Sequence, residues 1–435
     1  MAPGTTSITD HQRREIDAAL GECAAKLERL RTLDPYLLDL SLREPTVGAP
    51  VGHTLQNKLE IWQMVRAFGF RDMLIASLDY PLPEHHEVED DFVQALRESG
   101  QSLDGCFAFT TPGETTPRGF EPHPSMVKLR DYGIPNTLHE IYLADLKAHE
   151  RHALIENLGA SIAWLHKHVK GDAGGEPRIY VNIVDMPDAM VQDPEWVVGM
   201  VSWMAAQPIA AVSFEDGRGT YFPFQVGAYA RILRTLLPAQ VKVLLHVHAG
   251  NGMENASVVE ALLNGADGVW GGMTKEAATI GHASLSELIV NLMRAGNKAV
   301  EHRYKLKTMM PLVRAMQTIN TEQETPADSP IFGTDAYRMM LSMFEQKKDR
   351  PMDVPPEAIG TSYGYRIAPV SSDVPVIQGR VREALGVQDL SEATARRMIE
   401  LMRLDMRAGK RIRYDDPRHL AELLARAQAK EPVVG

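Results

Sequence analysis

The chain has 435 residues, 44% hydrophobic and 24% charged, a balance that suits one large globular domain with a smaller one beside it. A formal net charge of −11 leaves no basic stripe to neutralise phosphates, which argues against nucleic-acid binding as the main activity. Two cysteines (Cys23 and Cys106) exclude a disulfide framework, and the N-terminus lacks a secretion signal. The longest weakly polar stretch, Val197 to Phe214, is broken by Gln207-Pro208 and makes a poor membrane span, so a cytoplasmic protein is expected.

From Ile8 to Leu33 the sequence reads as an amphipathic lead-in helix. Short apolar runs then alternate with longer helical patterns such as Thr54–Phe68 and Ala148–Val169. The predicted strands are Leu37–Leu42, Met73–Leu78, Gly105–Phe109, Leu138–Leu143, Arg178–Val184, Ala210–Phe214, Lys242–Val247 and Gly265–Trp270. Strands alternating with helices in this number predict an α/β fold, a (β/α)8 TIM barrel, with a doubly wound open sheet as the alternative. The predicted divisions are a helix over 1–33, the barrel over 34–298 and a mostly helical C-terminal subdomain over 299–435.

In such a barrel, reactive groups gather where the strands end. Arg43-Glu44 follow the first run, Glu140 and Asp185 lie in or after the fourth and fifth, and Asp216 follows the sixth. His246 and His248 close the seventh, two residues apart and therefore on one face, and His282 lies in the loop after the eighth. Two imidazoles with a carboxylate make a divalent-metal site, for which Zn, Mn, Co, Fe and Mg all qualify. Glu44, His246, His248 and His282 are the candidate ligands. Arg43 is placed to stabilise an oxygen that becomes negative, and Glu140, Asp185 and Asp216 are candidates for acid–base work.

Beyond Leu285–Gly296 the chain is proline-interrupted, from Pro311 to Pro356, with short helical pieces between. Alternation around Val370–Val376 suggests a strand, and Met339–Met343 suggests helix core. The pattern is helical from Ser391 to Lys430, opened by a weak cap at Ser391.

Asp39-Leu40-Ser41-Leu42-Arg43-Glu44 resembles the opening metal-ligand motif of the DRE-TIM metallolyases, which include homocitrate synthase, 2-isopropylmalate synthase and HMG-CoA lyase. His246-Val247-His248-Ala249-Gly250-Asn251-Gly252-Met253 is similar to that family's second motif. Asp216-Gly217-Arg218-Gly219, Ala261–Val269 and Gly281–Leu285 are similar in order. Ser329–Tyr337 and Pro356–Gly360 look like the helical subdomains that follow the barrel in the synthases. The resemblance implies a homodimer condensing an acyl-CoA with a metal-bound 2-oxo acid. A metal-dependent aldolase or lyase cleaving a hydroxy acid is the first alternative, and a non-catalytic barrel the second.

Departures accompany it. Pro45-Thr46-Val47 replaces the family's Gly-x-Gln, and Gly217 stands where the synthases hold the 2-oxo acid with a threonine. Ala249-Gly250 replaces Asn-Asp, and His282 replaces an asparagine ligand. Met339 and Phe344 stand for the subdomain histidines, with Tyr337, Tyr363 and Tyr365 as possible substitutes.

Overall fold

Eight short aliphatic and aromatic runs pair in parallel and close on themselves in the computed structural model, which describes residues 8–48, 51–79, 85–276, 280–343 and 354–429. The strands are β1 (Tyr36–Asp39), β2 (Met73–Ser77), β3 (Cys106–Thr110), β4 (Asn136–Ile141), β5 (Ile179–Ile183), β6 (Ala211–Asp216), β7 (Lys242–Val247) and β8 (Gly268–Gly271). Helices connect them, and β8 returns to β1 with Leu38 opposite Trp270, making a (β/α)8 barrel. The open-sheet alternative is excluded by this closure. At the seam, a Cβ on Gly268 would lie 2.0 Å from the carbonyl oxygen of Tyr36, so only glycine lets the two strands meet.

Alternation along each strand sorts the barrel's contents. Leu38, Leu74, Phe107, Leu138, Tyr180, Ala211, Leu244 and Trp270 belong to one buried apolar cluster. Two residues further along, on the same faces, come Glu140 after Leu138, Asn182 after Tyr180 and His246 after Leu244. Ala211 is followed by Ser213 and then Glu215. The lumen is therefore apolar below and polar at the carboxyl ends.

The strand predicted over Leu37–Leu42 stops at Asp39. Its carboxylate accepts from the Ser41 amide (3.0 Å) and hydroxyl (2.8 Å), and the amides of Arg43 and Glu44 donate back to the Leu40 carbonyl. This side-chain turn bends the chain into a short helix, Glu44–Gly48. A hairpin of Glu114–Thr116 with Gly119–Glu121, unanticipated from the sequence, follows β3. The lead-in helix spans Asp10–Thr32 with a capping box at Thr9 and buries none of its residues.

The chain separates into two compact units: the barrel to Lys305 with Ala315–Gln323, and Leu306–Arg314 with the chain from Glu324 onward. In the second unit the alternation near Val370 forms no strand. Asp373 caps a helix over Val374–Leu385 by accepting from the Val376 amide. Met339 is buried in a two-residue strand, whereas Met340 and Met343 are exposed, so this stretch is not helix core. Phe344 lies outside the described residues. Ser391 does cap its helix, Glu392–Arg407, accepting from the Thr394 amide, and a second helix covers Pro417–Gln428.

That unit is pinned by one buried carboxylate, Asp405, which accepts from Arg426 at 2.6 and 3.2 Å, from Lys410 at 3.1 Å and from Tyr414. The Arg426 hydrogen bonds, helped by Tyr414 and Lys410, hold its carboxyl far below the usual carboxylate range against the effect of burial. A depressed pKa contributes stability above the ordinary value near 4 that is lost as pH falls below it. Asp405→Asn should cost about 2 kcal/mol at neutral pH, since the cationic partners are partly exposed, and should flatten the acid limb of a urea-denaturation series below pH 4. An unchanged acid limb would refute the assignment.

Candidate metal centre

Strand β7 carries His246 to the carboxyl end of the lumen and His248 follows its last residue, the two rings standing edge to face with centroids 4.7 Å apart. The His246 ring lies flat on Trp270 at 4.1 Å, and that indole donates to Ser213 Oγ at 2.6 Å. His246 Nδ1 donates to the Trp270 carbonyl (2.9 Å) and His248 Nδ1 to the Gly281 carbonyl (3.0 Å). Anchoring both rings through Nδ1 turns both Nε2 atoms into the lumen, the arrangement metal-binding histidines use. Among the described residues, His246 Nε2 is buried with no hydrogen-bond partner, a costly position unless a ligand occupies it. Burial, reinforced by His248, pushes the His246 pKa well below its ordinary value and keeps the ring neutral, as a ligand must be.

Glu215, on β6 in register with His246, supplies the acid. Its Oε1 lies 3.3 Å from His248 Nε2, and its Oε2 accepts from Asn182 at 2.8 Å. The donor atoms of Glu215, His246 and His248 all lie within 4.8 Å of one another, spacing that a single divalent ion can bridge. Burial works against a charged His248, but the hydrogen bond and charge of Glu215, with Glu44 and the Gly281 carbonyl, together outweigh it and raise the pKa, so a metal would replace the Nε2 proton. Glu215 is not among the sequence candidates, which place Asp216 at this strand end. The signal was the alternation Ala211, Ser213, Glu215.

The remaining sequence candidates divide. Glu44 and Arg43 form a buried ion pair at the same rim. Arg43 Nε donates to Ser77 Oγ at 2.8 Å, and the guanidinium lies 4.0 Å over the Phe109 ring. Burial alone would raise the Glu44 carboxyl, but Arg43, with His246, His282 and His248 behind it, brings it down to about 2. Beneath the turn, fully buried Lys58 donates to the Leu42 carbonyl (2.8 Å) and pairs with Glu89 (3.1 Å). His282 stands beside His246, centroids 5.3 Å apart, with both nitrogens engaged by backbone: Nδ1 donates to Ala283 O (2.8 Å) and Nε2 accepts from Gly272 (3.2 Å).

Glu140 shares the lumen. Burial, opposed by Arg43 but aided by Glu215, Asp79 and Glu44, lifts its carboxyl to about 8. Asp79 is likewise raised by burial, and its Oδ1 has no hydrogen-bond partner among the described residues. Asp185 and Asp216 stand beside Glu215 on the wall of one recess. Asp185 accepts from the amides of Leu143 and Ala144, and Asp216 from those of Thr220 and Tyr221, so both carboxylates brace loops.

The loop after β6 also presses on the turn that follows the histidines. A Cβ on Gly250 would meet Arg218 O at 1.9 Å, which explains glycine there. Beside Glu215 a cavity of about 270 Å3 opens, walled by Asp188, Arg218 and Tyr221.

No family model and no curated protein matches the sequence. Among solved structures, the chain is similar to an HMG-CoA lyase from Acinetobacter baumannii in complex with coenzyme A and 3-methylmalate. That pair shares 13% identity at a TM-score of 0.51, covering 68% of this chain and 93% of the other. It is also similar to the HMG-CoA lyase of Bacillus subtilis, at 18% identity, TM-score 0.51, 66% and 94% coverage. A third similarity is to hydroxymethylglutaryl-CoA lyase from Pseudomonas aeruginosa, at 11% identity, TM-score 0.51, 66% and 94% coverage. These likenesses establish a shared barrel fold.

Proposed function

We propose that this chain is a divergent DRE-TIM metallolyase that breaks a carbon–carbon bond in a hydroxy acid or its coenzyme A thioester. The observation that carries the reading is the convergence of His246, His248 and Glu215, with the buried Nε2 of His246 lacking a partner among the described residues. Their neutral-nitrogen and carboxylate donors fit a divalent cation, with Glu44 facing the same histidines as the acid that the motif resemblance nominates. Bound there, such a cation supplies Lewis acidity to a carbonyl or hydroxyl oxygen.

The chain's own residues do the rest. Arg43, fixed by Ser77, Phe109 and Glu44, presents a permanent positive charge in a water-poor lumen, where a developing oxyanion is stabilised most strongly. Asn182 holds Glu215 in place from below. Glu140, whose carboxyl burial holds above the ordinary carboxylate range, is the candidate proton donor to a carbanion-like carbon. The recess walled by Arg218 and Tyr221 would take the far end of the substrate.

The lyase direction is supported by the nature of the similar barrels, one of which binds coenzyme A with 3-methylmalate. It also suits a second unit whose one histidine, His419, is half-buried with its Nδ1 bonded to the Arg413 carbonyl, since cleavage needs no base for thioester hydrolysis. The synthase reading, joining an acyl-CoA to a 2-oxo acid within a homodimer, rests on the segments Ser329–Tyr337 and Pro356–Gly360 beyond the barrel.

Metal-reconstituted protein should cleave a member of a panel of 3-hydroxyacyl-CoA thioesters and free hydroxy acids, detected as carbonyl product. Thiol release requiring both an acyl-CoA and a 2-oxo acid would instead establish the synthase. Silence in both assays with metal bound would reject both.

A further inference from the structure

A large cavity lies at the opposite end of the barrel from the histidines, where the strands begin. It measures about 820 Å3, within the range of small-ligand sites, and is open to solvent. Its wall carries Arg66, Arg71, Lys242, His302, Arg303 and Lys305 against two acids, Asp34 and Asp72. Both acids are already neutralised: Asp34 by Arg303, and Asp72 by Arg178, which approaches with two bonds of 3.0 Å. Among the described residues, no carboxylate pairs with Arg66, Arg71 or Lys242.

This concentration of positive charge stands out in a chain of net charge −11. It is also partly rigid. Arg66 donates to the carbonyls of Arg71 (2.7 Å) and Asp104 (3.2 Å) and lies 4.3 Å over the Trp62 ring, so its charge is fixed without being cancelled. Lys242 stands at the first position of β7, 5.5 Å over the Tyr36 ring, and is exposed. Fixed cations around a concave wall suit a compact polyanion better than an extended one, whose phosphates would track a flat basic stripe.

We infer that this basin at the amino end of the barrel binds a small diphosphate-bearing molecule, at a site separate from the metal centre. Arg71 and Lys242 supply the accessible charges and Arg66 the fixed one.

Isothermal titration of the full chain with inorganic pyrophosphate, in low salt, tests this. Binding should appear with Kd below about 1 mM and weaken as ionic strength rises. Arg71→Glu and Lys242→Glu lie on exposed positions remote from the lumen and should each weaken it roughly tenfold or more, with melting temperature and retained metal unchanged. Neutral Arg71→Ala and Lys242→Ala guard against misfolding and should show smaller losses. ADP should bind and adenosine should not. Absence of heat up to about 10 mM pyrophosphate would overturn the inference. Binding that survives the Arg71→Glu/Lys242→Glu double variant would also overturn it, since the anion would then be held elsewhere, the metal centre included.

Discussion

His246→Ala and His248→Ala proteins should each emerge from gel filtration without the divalent metal retained by wild type, and without measurable turnover. The expectation follows from how the rings are held. Each Nδ1 is tied to a backbone carbonyl, so each Nε2 has a fixed direction and one free lone pair to give once deprotonated. Removing either leaves one imidazole and a carboxylate, too few fixed donors for tight binding. Glu215→Gln keeps the Asn182 contact in shape but removes the charge, and should weaken metal binding about 10- to 100-fold. Metal content by mass spectrometry and affinity by chelator competition measure both effects, with circular dichroism confirming the fold. Full metal retention in both alanine variants would remove the basis for the centre.

Arg43→Ala should behave oppositely, keeping its metal while losing about 10²- to 10³-fold in kcat, the usual cost of deleting one charged oxyanion donor. The buried pair complicates that substitution. Without Arg43, the Glu44 carboxylate is left uncompensated in the lumen, and the protein should lose about 3 kcal/mol of stability as well. The double variant Arg43→Ala/Glu44→Gln separates the two effects. It should recover most of the melting temperature and none of the rate. Recovery of rate along with stability would mean that Arg43 serves only as a counter-ion.

Much of this architecture was legible in the sequence for physical reasons. All eight barrel strands were marked by apolar runs, because a strand covered by helices outside and packed inside must be apolar on both faces. The long helices Leu55–Phe68 and Ala148–His168 fell within a residue of expectation through their 3.6-residue spacing. Misreadings came where local side-chain bonds overrode pattern. Asp39 and Ser41 ended β1 early, and Asp373 turned an alternating stretch into a helix start.

By itself the sequence determined the barrel, and the placing of Arg43, Glu44, His246 and His248 at strand ends, because periodicity and chain order are properties of the chain alone. Only the tertiary structure decided which groups meet. Register across β6 and β7 brought Glu215, not Asp216, beside the histidines, since neighbours on one strand face opposite sides. Asp185 and Asp216 went to loop amides, and both nitrogens of His282 went to backbone. The cationic basin likewise gathers residues as distant in the chain as Arg66 and Lys305. A one-dimensional pattern records on which side of an element a residue lies. Which partner stands opposite depends on register, closure and loop packing, and those exist only once the barrel has closed.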